Sequence, residues 1–326
     1  MATIKDVARE AGVSVTLVSR YINGKKGVGK ETTARIEEVV ERLHYQPNQV
    51  ARSLVQKETK LLGVLLDDFC DERNVPLIRG MEEAAQKEGY RLVLVSGGND
   101  PDIKRQAYFD FALGRVDGMV VCGALGYDRT MRGGVPVATV DFEAPLLGGD
   151  TLLFDTQEAT FQLARHLLQR RRWICLLADK TGGELSEART AGYKRAMLQI
   201  TDADHLHVVD CGHTHHDGYT TLRRLAGKNI FPEAVLAPSD AAAYGAIQAA
   251  IDLGKRVPED ILVAGFGGGG AAPSSTHPVL TTVIKPLREM GGEAIALVLR
   301  RIRNPELSPE RKMYVPQLVL NASTRV

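Results

Sequence analysis

The sequence is short of cysteine and of long apolar runs, and these absences exclude several classes of protein. Its four cysteines in 326 residues, Cys70, Cys122, Cys175 and Cys211, are far apart and form no CxxC pair. This argues against a disulfide framework and is typical of buried free thiols in a reducing compartment. No apolar run reaches the ~18 residues of a membrane span, and the first ten residues lack the apolar core of a signal peptide. We expect a cytoplasmic protein with no membrane segment.

The sequence also lacks the motifs of common catalytic sites. It contains no P-loop, no HExxH pair and no GxSxG nucleophile elbow. The glycines from Gly265 to Gly270 satisfy the GxGxxG spacing of a dinucleotide site, but two following prolines oppose the helix that should receive the pyrophosphate. We therefore predict that the protein is not an enzyme and holds no cofactor.

A histidine-rich stretch offers metal ligands, but no second group of ligands has the spacing of a zinc site. The stretch contains His205, His207, Cys211, His213, His215, His216 and Asp217. We predict no bound metal.

The net charge of the chain is small, and its charged residues are distributed unevenly. The formal net charge is only +1, yet residues 1–60 hold 11 lysines and arginines against 7 aspartates and glutamates. A small basic segment attached to a slightly acidic body is typical of a nucleic-acid module joined to a domain with another role.

The stretch from Thr3 to Asn23 predicts two short helices that meet at Gly12. Apolar residues recur at helical spacing, Gly12 can adopt the left-handed turn, and Thr3 and Ser14 stand where helix caps are expected. A tight turn followed by a helix with a polar face is the helix-turn-helix pattern, whose second helix enters the DNA major groove. The alternative is an ordinary helical hairpin within a larger fold.

Beyond residue 60 the sequence alternates apolar strand-like runs with amphipathic helices. This alternation predicts parallel sheets. About ten strand–helix units are more than a single sheet usually contains, so we expect two doubly wound α/β lobes. Ligands of such lobes bind at the carboxyl ends of the strands.

The chain resembles the lactose-repressor/galactose-repressor (LacI/GalR) family of bacterial transcriptional regulators. The resemblance is carried by TIKDVAREAGVS, VSRYIN, YQPNQVARSL, RGMEEAAQKEGY, RVDGMVV, PVATVDF, RTAGYKRAM, PSDAAAYGAI, RVPEDILVAGF and HPVLTTVIKP. It implies a homodimer that binds double-stranded operator DNA and whose core resembles a periplasmic sugar-binding protein.

The resemblance also implies a division of the chain. Residues 1–46 form the DNA-binding domain, and 47–60 form a hinge helix and linker. Residues 61–326 form the effector-binding and dimerisation core, with lobe 1 about 61–151 and 286–314, and lobe 2 about 152–285 and 315–326.

By resemblance, Val15, Thr16 and Arg20 meet base edges, and Leu54 wedges into the minor groove. Leu17 stands where the family usually has threonine, so no known operator sequence is transferred. Leu54 could instead be a core residue between domains. The other residues expected at the DNA are Thr3, Ser14, Ser19, Asn23, Tyr45, Asn48 and Ala51.

The resemblance places an effector site between the lobes. The residues expected there are Arg73, Asn74, Asp141, Arg189, His213, Ser239, Asp240, Phe266 and Gly267. Four of them have an alternative role: Asp141 and Asp240 could cap helices, Arg189 could form a surface ion pair, and Phe266 could be core.

Two departures from the family pattern concern the charge of the effector. After Gly265-Phe266 the family commonly has aspartate, whereas Gly267–Gly270 follow here with N–H groups that could face an anion. Arg73 and Asn74 stand where many relatives are apolar. We therefore expect a sugar or sugar-phosphate effector of a carbohydrate-gene repressor. Whether it induces or corepresses stays open. The competing functions are a periplasmic-type solute-binding protein and a nucleotide-dependent oxidoreductase.

Overall fold

The computed structural model describes residues 2–22, 27–45, 58–66, 74–98, 100–123, 134–141, 148–179, 183–200, 206–268 and 278–325. Within these ranges the chain forms three N-terminal helices and then two six-stranded sheets with helices packed on them. None of the helices described is long and apolar enough to cross a membrane.

The N-terminal helices are α1 (Ile4–Ala11), α2 (Val15–Ile22) and α3 (Lys30–Arg42). Thr3 and Asp6 form a reciprocal capping box at the start of α1, and Gly12 ends that helix in the left-handed conformation. The helices bury one small apolar cluster, which includes Val7 and Ala11 of α1, Val18 of α2, and Ile36 of α3. Their local sequence and their packing therefore favour the same arrangement.

The first sheet has the strand order β11-β5-β4-β3-β1-β2, and every pair in it is parallel. Its strands are β1 (Leu61–Leu66), β2 (Arg91–Ser96), β3 (Gly118–Cys122), β4 (Val137–Val140), β5 (Asp150–Phe154) and β11 (Arg311–Tyr314). Helices α4 (Asn74–Lys87) and α5 (Pro101–Asp110), a π-helical turn (Phe111–Arg115) and helix α10 (Leu287–Arg303) accompany this sheet.

The second sheet has the order β12-β10-β9-β8-β6-β7, in which only β12 runs antiparallel to its neighbour. Its strands are β6 (Ile174–Ala178), β7 (His207–Asp210), β8 (Ala234–Leu236), β9 (Leu262–Gly267), β10 (Thr281–Ile284) and β12 (Gln317–Val319). Helices α6 (Thr156–Leu168), α7 (Gly183–Met197), α8 (His215–Gly227) and α9 (Asp240–Asp252), and a 3₁₀ turn (Ala322–Thr324), complete this lobe. The expected fold class is confirmed: a helical head, which consists of α1–α3, is followed by two doubly wound lobes.

Among the described strands, the chain passes between the two sheets three times: after β5, after β10 and after β11. The first passage differs from the expected boundary at residue 151, because strand Asp150–Phe154 pairs with β4 and β11 in the first sheet. The sequence of this strand begins a new strand–helix unit. Its pairing, however, is non-local, because it depends on β11, which comes more than 150 residues later in the chain. The passage therefore begins at Asp155, which caps α6.

A buried ion pair fastens α10 and β11 to the first lobe. Arg301 donates to both carboxylate oxygens of Asp150, at 3.2 and 2.7 Å, and Asp150 is fully buried. Asp150 also accepts from the backbone N–H of Glu310, and Arg301 donates to the carbonyl of Leu307. Since removal of one partner would leave the other charge buried and unpaired, this pair fixes the returning segment to lobe 1.

The cysteines that the structure describes, Cys122, Cys175 and Cys211, are buried and form no disulfide. Burial, and then the neighbouring Cys211, raise the pKa of the Cys175 thiol to about 12. Both observations agree with structural thiols.

Helices α4 and α10 pack at a distance that only glycine permits. A Cβ added at Gly80 would lie 1.9 Å from the backbone oxygen of Arg288, and one at Gly291 would lie 2.1 Å from that of Leu77. Gly292, one residue further along α10, has its nearest neighbour at 3.7 Å, which is an ordinary contact.

We predict that Gly80→Ala lowers the free energy of unfolding by about 1–3 kcal/mol, because the added methyl group forces two packed backbones apart. The matched control is Gly292→Ala, which should be neutral or stabilising by up to about 1 kcal/mol, since alanine is the better helix former and has room there. Urea unfolding of both variants measures the difference. A Gly80→Ala protein as stable as the wild type would contradict this packing.

His166 is buried, and its Nε2 lies 2.9 Å from the hydroxyl of Thr324. Burial, and then Arg170, lower the pKa of His166 below its ordinary value near 6.5. The unfolded chain therefore binds more protons than the folded chain, and the contribution of His166 to stability is present above about pH 6.5 and lost as the pH falls.

Replacing His166 with asparagine should flatten the fall in melting temperature between about pH 7.5 and 5.5, although the variant is less stable overall. Replacing the exposed His44, where asparagine tolerates the observed φ of 44°, should leave the slope unchanged. Parallel slopes for the wild type and His166→Asn would refute this account.

Candidate functional site

The second helix presents a continuous exposed face. Val15, Thr16 and Arg20 are exposed and Ser19 is half-exposed, whereas Val18 on the opposite side is fully buried against α1 and α3. With about 3.6 residues per turn, the four outward side chains lie within one sector of the helix surface. The residues expected to read bases therefore share a face that the packing of the head leaves open.

The polar residues around this face also hold it in place. The hydroxyl of Thr3 accepts from the N–H of Asp6 and donates to its carboxylate, so it caps α1. The hydroxyl of Ser14 accepts from the N–H of Leu17 and caps α2. Tyr45 packs against the apolar cluster of the head, and this burial raises the pKa of its phenol. These side chains thus have structural roles, and their DNA contacts remain a prediction.

Five of the residues expected at a binding site lie outside the described ranges. They are Asn23, Asn48, Ala51, Leu54 and Arg73. Residues 47–57, which hold the expected hinge helix and most of the expected linker, also lie outside them.

A cavity of about 210 Å³ lies between the lobes, where strands of both sheets end. Its walls come from the ends of β1, β3, β4 and β9, from α4 and α7, and from the passage between β10 and α10. Five of the expected effector residues line it: Asn74, Asp141, Arg189, Phe266 and Gly267. The volume is below the roughly 300–1,000 Å³ of sites for drug-sized ligands, so it suits a small metabolite.

One wall of the cavity carries an ion pair between residues of the two sheets. The Nζ of Lys285, which follows β10, lies 2.6 Å from Oδ2 of Asp141, which follows β4. The side chains are 11% and 18% exposed, so solvent screens the pair only weakly. The Oδ1 of Asp141 is buried and has no hydrogen-bond partner among the described residues. Residues 142–147, where Asp141 could cap a helix, lie outside the described ranges.

The backbone at Asp141 has a φ of 65°, which non-glycine residues seldom adopt. Aspartate tolerates this conformation better than most residues do, and such strain is concentrated at functional sites. The carboxylate of Asp141 is therefore held at the cavity by a backbone that few other side chains accept.

The facing wall combines a cation with an aromatic ring. Arg189 is only 6% exposed, so it is not a surface ion-pair partner, and its Cζ lies 5.0 Å from the ring centroid of Phe266. Phe266 is buried and meets Phe154 edge to face, with centroids 6.2 Å apart. Phe266 is thus both a core residue and a wall of the cavity.

Three further expected effector residues, His213, Ser239 and Asp240, do not line this cavity. Ser239 caps α9 by accepting from the N–H of Ala242, and its hydroxyl donates to the carbonyl of His213. The ring Nε2 of His213 lies 3.1 Å from a carboxylate oxygen of Asp179. Their contacts in the described residues join neighbouring loops of lobe 2.

Asp240 explains why glycines end β9. Its carboxylate accepts from the N–H of Gly268 at 3.0 Å and from the hydroxyl of Thr282 at 2.5 Å. A Cβ at Gly265 would lie 2.4 Å from Asp240, so that position requires glycine. The expectation that the N–H groups of Gly267–Gly270 are free to face an anionic ligand is wrong for Gly268, because its N–H donates to the carboxylate of Asp240. Residues 269–277 lie outside the described ranges, and the next described element is strand β10.

Lys285 was not among the residues expected at the site. The sequence feature that could have identified it is a single lysine between an apolar strand and a proline. A lysine in that position does not belong to the exposed face of an amphipathic helix. Only the topology brings the end of β10 next to the end of β4 and so places this charge in the cavity.

Two family models match the chain. Residues 3–48 match the model described as "Bacterial regulatory proteins, lacI family", and residues 164–324 match the "Periplasmic binding protein-like domain". The first contains α1–α3, and the second spans most of the second lobe and the returning segments.

Relatives match over nearly the whole length. The ribose operon repressor of Escherichia coli (strain K12) is 32% identical over 334 residues, covering 99% of this chain and all of the relative. The HTH-type transcriptional repressor PurR of Pectobacterium carotovorum subsp. carotovorum (strain PC1) is 34% identical over 313 residues, covering 93% and 91%. The structure of a lac repressor dimer bound to operator and the anti-inducer ONPF superimposes with a TM-score of 0.87 at 23% identity, over 100% and 99% of the chains.

Proposed function

Because the chain belongs to the lacI family of bacterial regulatory proteins, we propose that it is a cytoplasmic homodimer that represses carbohydrate-utilisation genes. It binds a near-palindromic double-stranded operator, and a small sugar or sugar phosphate in the cleft between its lobes controls that binding. The observation that carries the proposal is the exposed face of α2, with Val15, Thr16 and Arg20 together on a capped and packed helix.

The chemistry of that face suits direct readout in the major groove. The guanidinium of Arg20 can donate two hydrogen bonds to O6 and N7 of a guanine. Thr16 offers a hydroxyl and a methyl group, and Val15 can contact the methyl group of a thymine. Two heads related by the dimer axis would read two half-sites, which is why the operator should be near-palindromic.

The cleft supplies what a sugar site needs. Sugars present vicinal hydroxyls that are held by planar charged groups, and one apolar face that packs on an aromatic ring. Asp141 and Arg189 provide the charged groups, and Phe266 provides the ring. One relative is a ribose operon repressor, which agrees with a sugar effector.

Ligand and operator are linked thermodynamically. If the ligand stabilises a lobe arrangement that disfavours DNA binding, DNA weakens ligand binding by the same factor. A thousandfold loss of operator affinity requires about 4 kcal/mol of coupling. A corepressor would bind the same cleft but would strengthen operator binding instead of weakening it.

The proposal is tested by selecting duplexes from a random library with the full chain and measuring affinity for the enriched sequence. Arg20→Gln should weaken binding by about 1–3 kcal/mol, or roughly 5- to 150-fold, and remove the base preference at one position of each half-site. The physical reason is the loss of a bidentate contact to one guanine.

The matched control is Arg9→Gln, since Arg9 is an exposed arginine of α1 whose ion pair with Asp6 is on the surface. This variant should change affinity slightly and equally for all sequences, because it alters charge without altering base contacts. Equal effects of the two variants on base preference would contradict readout by Arg20. Failure of the wild type to enrich any duplex would overturn the proposed function itself.

A further inference from the structure

We propose that Asp117 fixes the position and direction in which the linker leaves lobe 1, and that it thereby sets the spacing of the operator half-sites that the two heads can occupy. The inference rests on the proposed function, because it concerns how the core holds the DNA-binding head. It makes Asp117 a positioning residue, which acts on DNA through the linker and contacts no base itself.

The first observation is that one carboxylate holds the end of the linker at three points. Oδ1 of Asp117 accepts from the N–H of Thr59 at 2.6 Å and from its hydroxyl at 2.8 Å, and Oδ2 accepts from the N–H of Lys60 at 2.9 Å. Asp117 is half-buried directly before β3, and its own N–H donates to the carbonyl of Leu61 at 2.8 Å. Hydrogen bonds to an ionised carboxylate are stronger than those between neutral groups, so the chain is held firmly just before it enters β1.

The second observation is the backbone of Lys60, which has a φ of 56°. Non-glycine residues seldom adopt this left-handed conformation, and they keep it where the surrounding contacts enforce it. The N–H of Lys60 donates to Asp117, and its carbonyl accepts from the N–H of Arg91 at 3.0 Å. Its ammonium group lies 4.5 Å from the ring centroid of Tyr90 and 2.8 Å from a carboxylate oxygen of Glu58. Lobe 1 therefore determines how the chain turns at Lys60.

Lobe 2 contains a similar clamp, by which we mean a carboxylate that accepts from two successive backbone N–H groups. Oε2 of Glu233, which precedes β8, accepts from the N–H groups of Arg172 and Trp173 at 3.0 Å each, just before the chain enters β6. Both clamps hold the start of a strand against its neighbour, since β1 pairs with β3 and β6 pairs with β8. Neither Arg172 nor Trp173, both of which the structure describes, has a positive φ. Of the two clamps, only the one that the linker enters holds a left-handed residue.

The position of Thr59 limits where the head can lie, because the linker joins the two covalently. In a dimer, the distance and orientation between the two held ends then limit the half-sites that both heads can reach together. One added base pair between the half-sites moves them about 3.4 Å apart and rotates one relative to the other by about 35°. A fixed exit with a defined direction therefore favours one spacing, whereas a released exit tolerates several.

The test uses the full chain and the duplex that the wild type selects, rebuilt with one or two base pairs added to or removed from its centre. Affinity is measured for each spacing by fluorescence anisotropy, and the readout is the ratio of the affinities for the best and the altered spacings. Asp117→Ala should lower this ratio about 2- to 30-fold, which is the range by which residues between two coupled sites alter their coupling. Asp117→Asn keeps an acceptor for Thr59 but loses one for Lys60, so it should give an intermediate ratio.

The matched control is Glu233→Ala, which removes the clamp of lobe 2. Both alanine variants should lose stability in urea, because each leaves two backbone N–H groups without their acceptor. Glu233→Ala should nevertheless keep the wild-type ratio, since no linker enters lobe 2 at that clamp. This comparison separates the positioning of the linker from a general destabilisation. If Asp117→Ala does not fold, the ratio of Asp117→Asn decides.

The inference would be overturned if the folded Asp117 variants kept the wild-type ratio, even with a lower affinity for every duplex. It would be overturned equally if Glu233→Ala lowered the ratio as much as Asp117→Ala, or if the wild type bound all spacings alike. A wild type that selects no duplex would instead overturn the proposed function, and this inference with it, so the two failures are distinguishable.

Discussion

The cleft depends on one constraint, which is that the carboxyl ends of two parallel sheets face each other. Phe154 at the end of β5 and Phe266 at the end of β9 meet edge to face at 6.2 Å, and this contact joins strands from different sheets. Parallel strands direct all their following loops to the same edge. The polar residues that follow β4 and β10 therefore converge on one cavity although they are far apart in the chain.

Local sequence was sufficient where local forces determine the structure. The head could be predicted because capping residues, a left-handed glycine and apolar spacing all indicate the same helices. The boundary between the lobes could not, because strand Asp150–Phe154 has no local feature that assigns it to either sheet. Its place is decided by pairing with β4 and β11 and by the burial of Asp150 against Arg301.

The site was predictable in the same uneven way. Asp141, Arg189 and Phe266 stand in motifs whose positions in the fold are known from the family resemblance, and the structure brings all three to the cavity. Lys285 also stands in such a motif, but its place at the cavity depends on its ion pair with Asp141, which is 144 residues away in the chain. Gly268 shows the opposite error. Its N–H group was expected to be free, but it donates to Asp240, because the fold brings α9 against the end of β9.

The same geometry suggests how the cleft could influence the head. The end of the linker is fixed to lobe 1, since the N–H groups of Thr59 and Lys60 donate to the carboxylate of Asp117 at 2.6 and 2.9 Å. Lys285 lies between β10 of lobe 2 and α10, which packs on α4 of lobe 1 without room for a side chain at Gly80. A ligand bound beside the ion pair of Lys285 and Asp141 would thus act where the lobes join. Because α10 packs closely on α4, we expect a displacement of α10 to be transmitted to lobe 1, which holds the end of the linker.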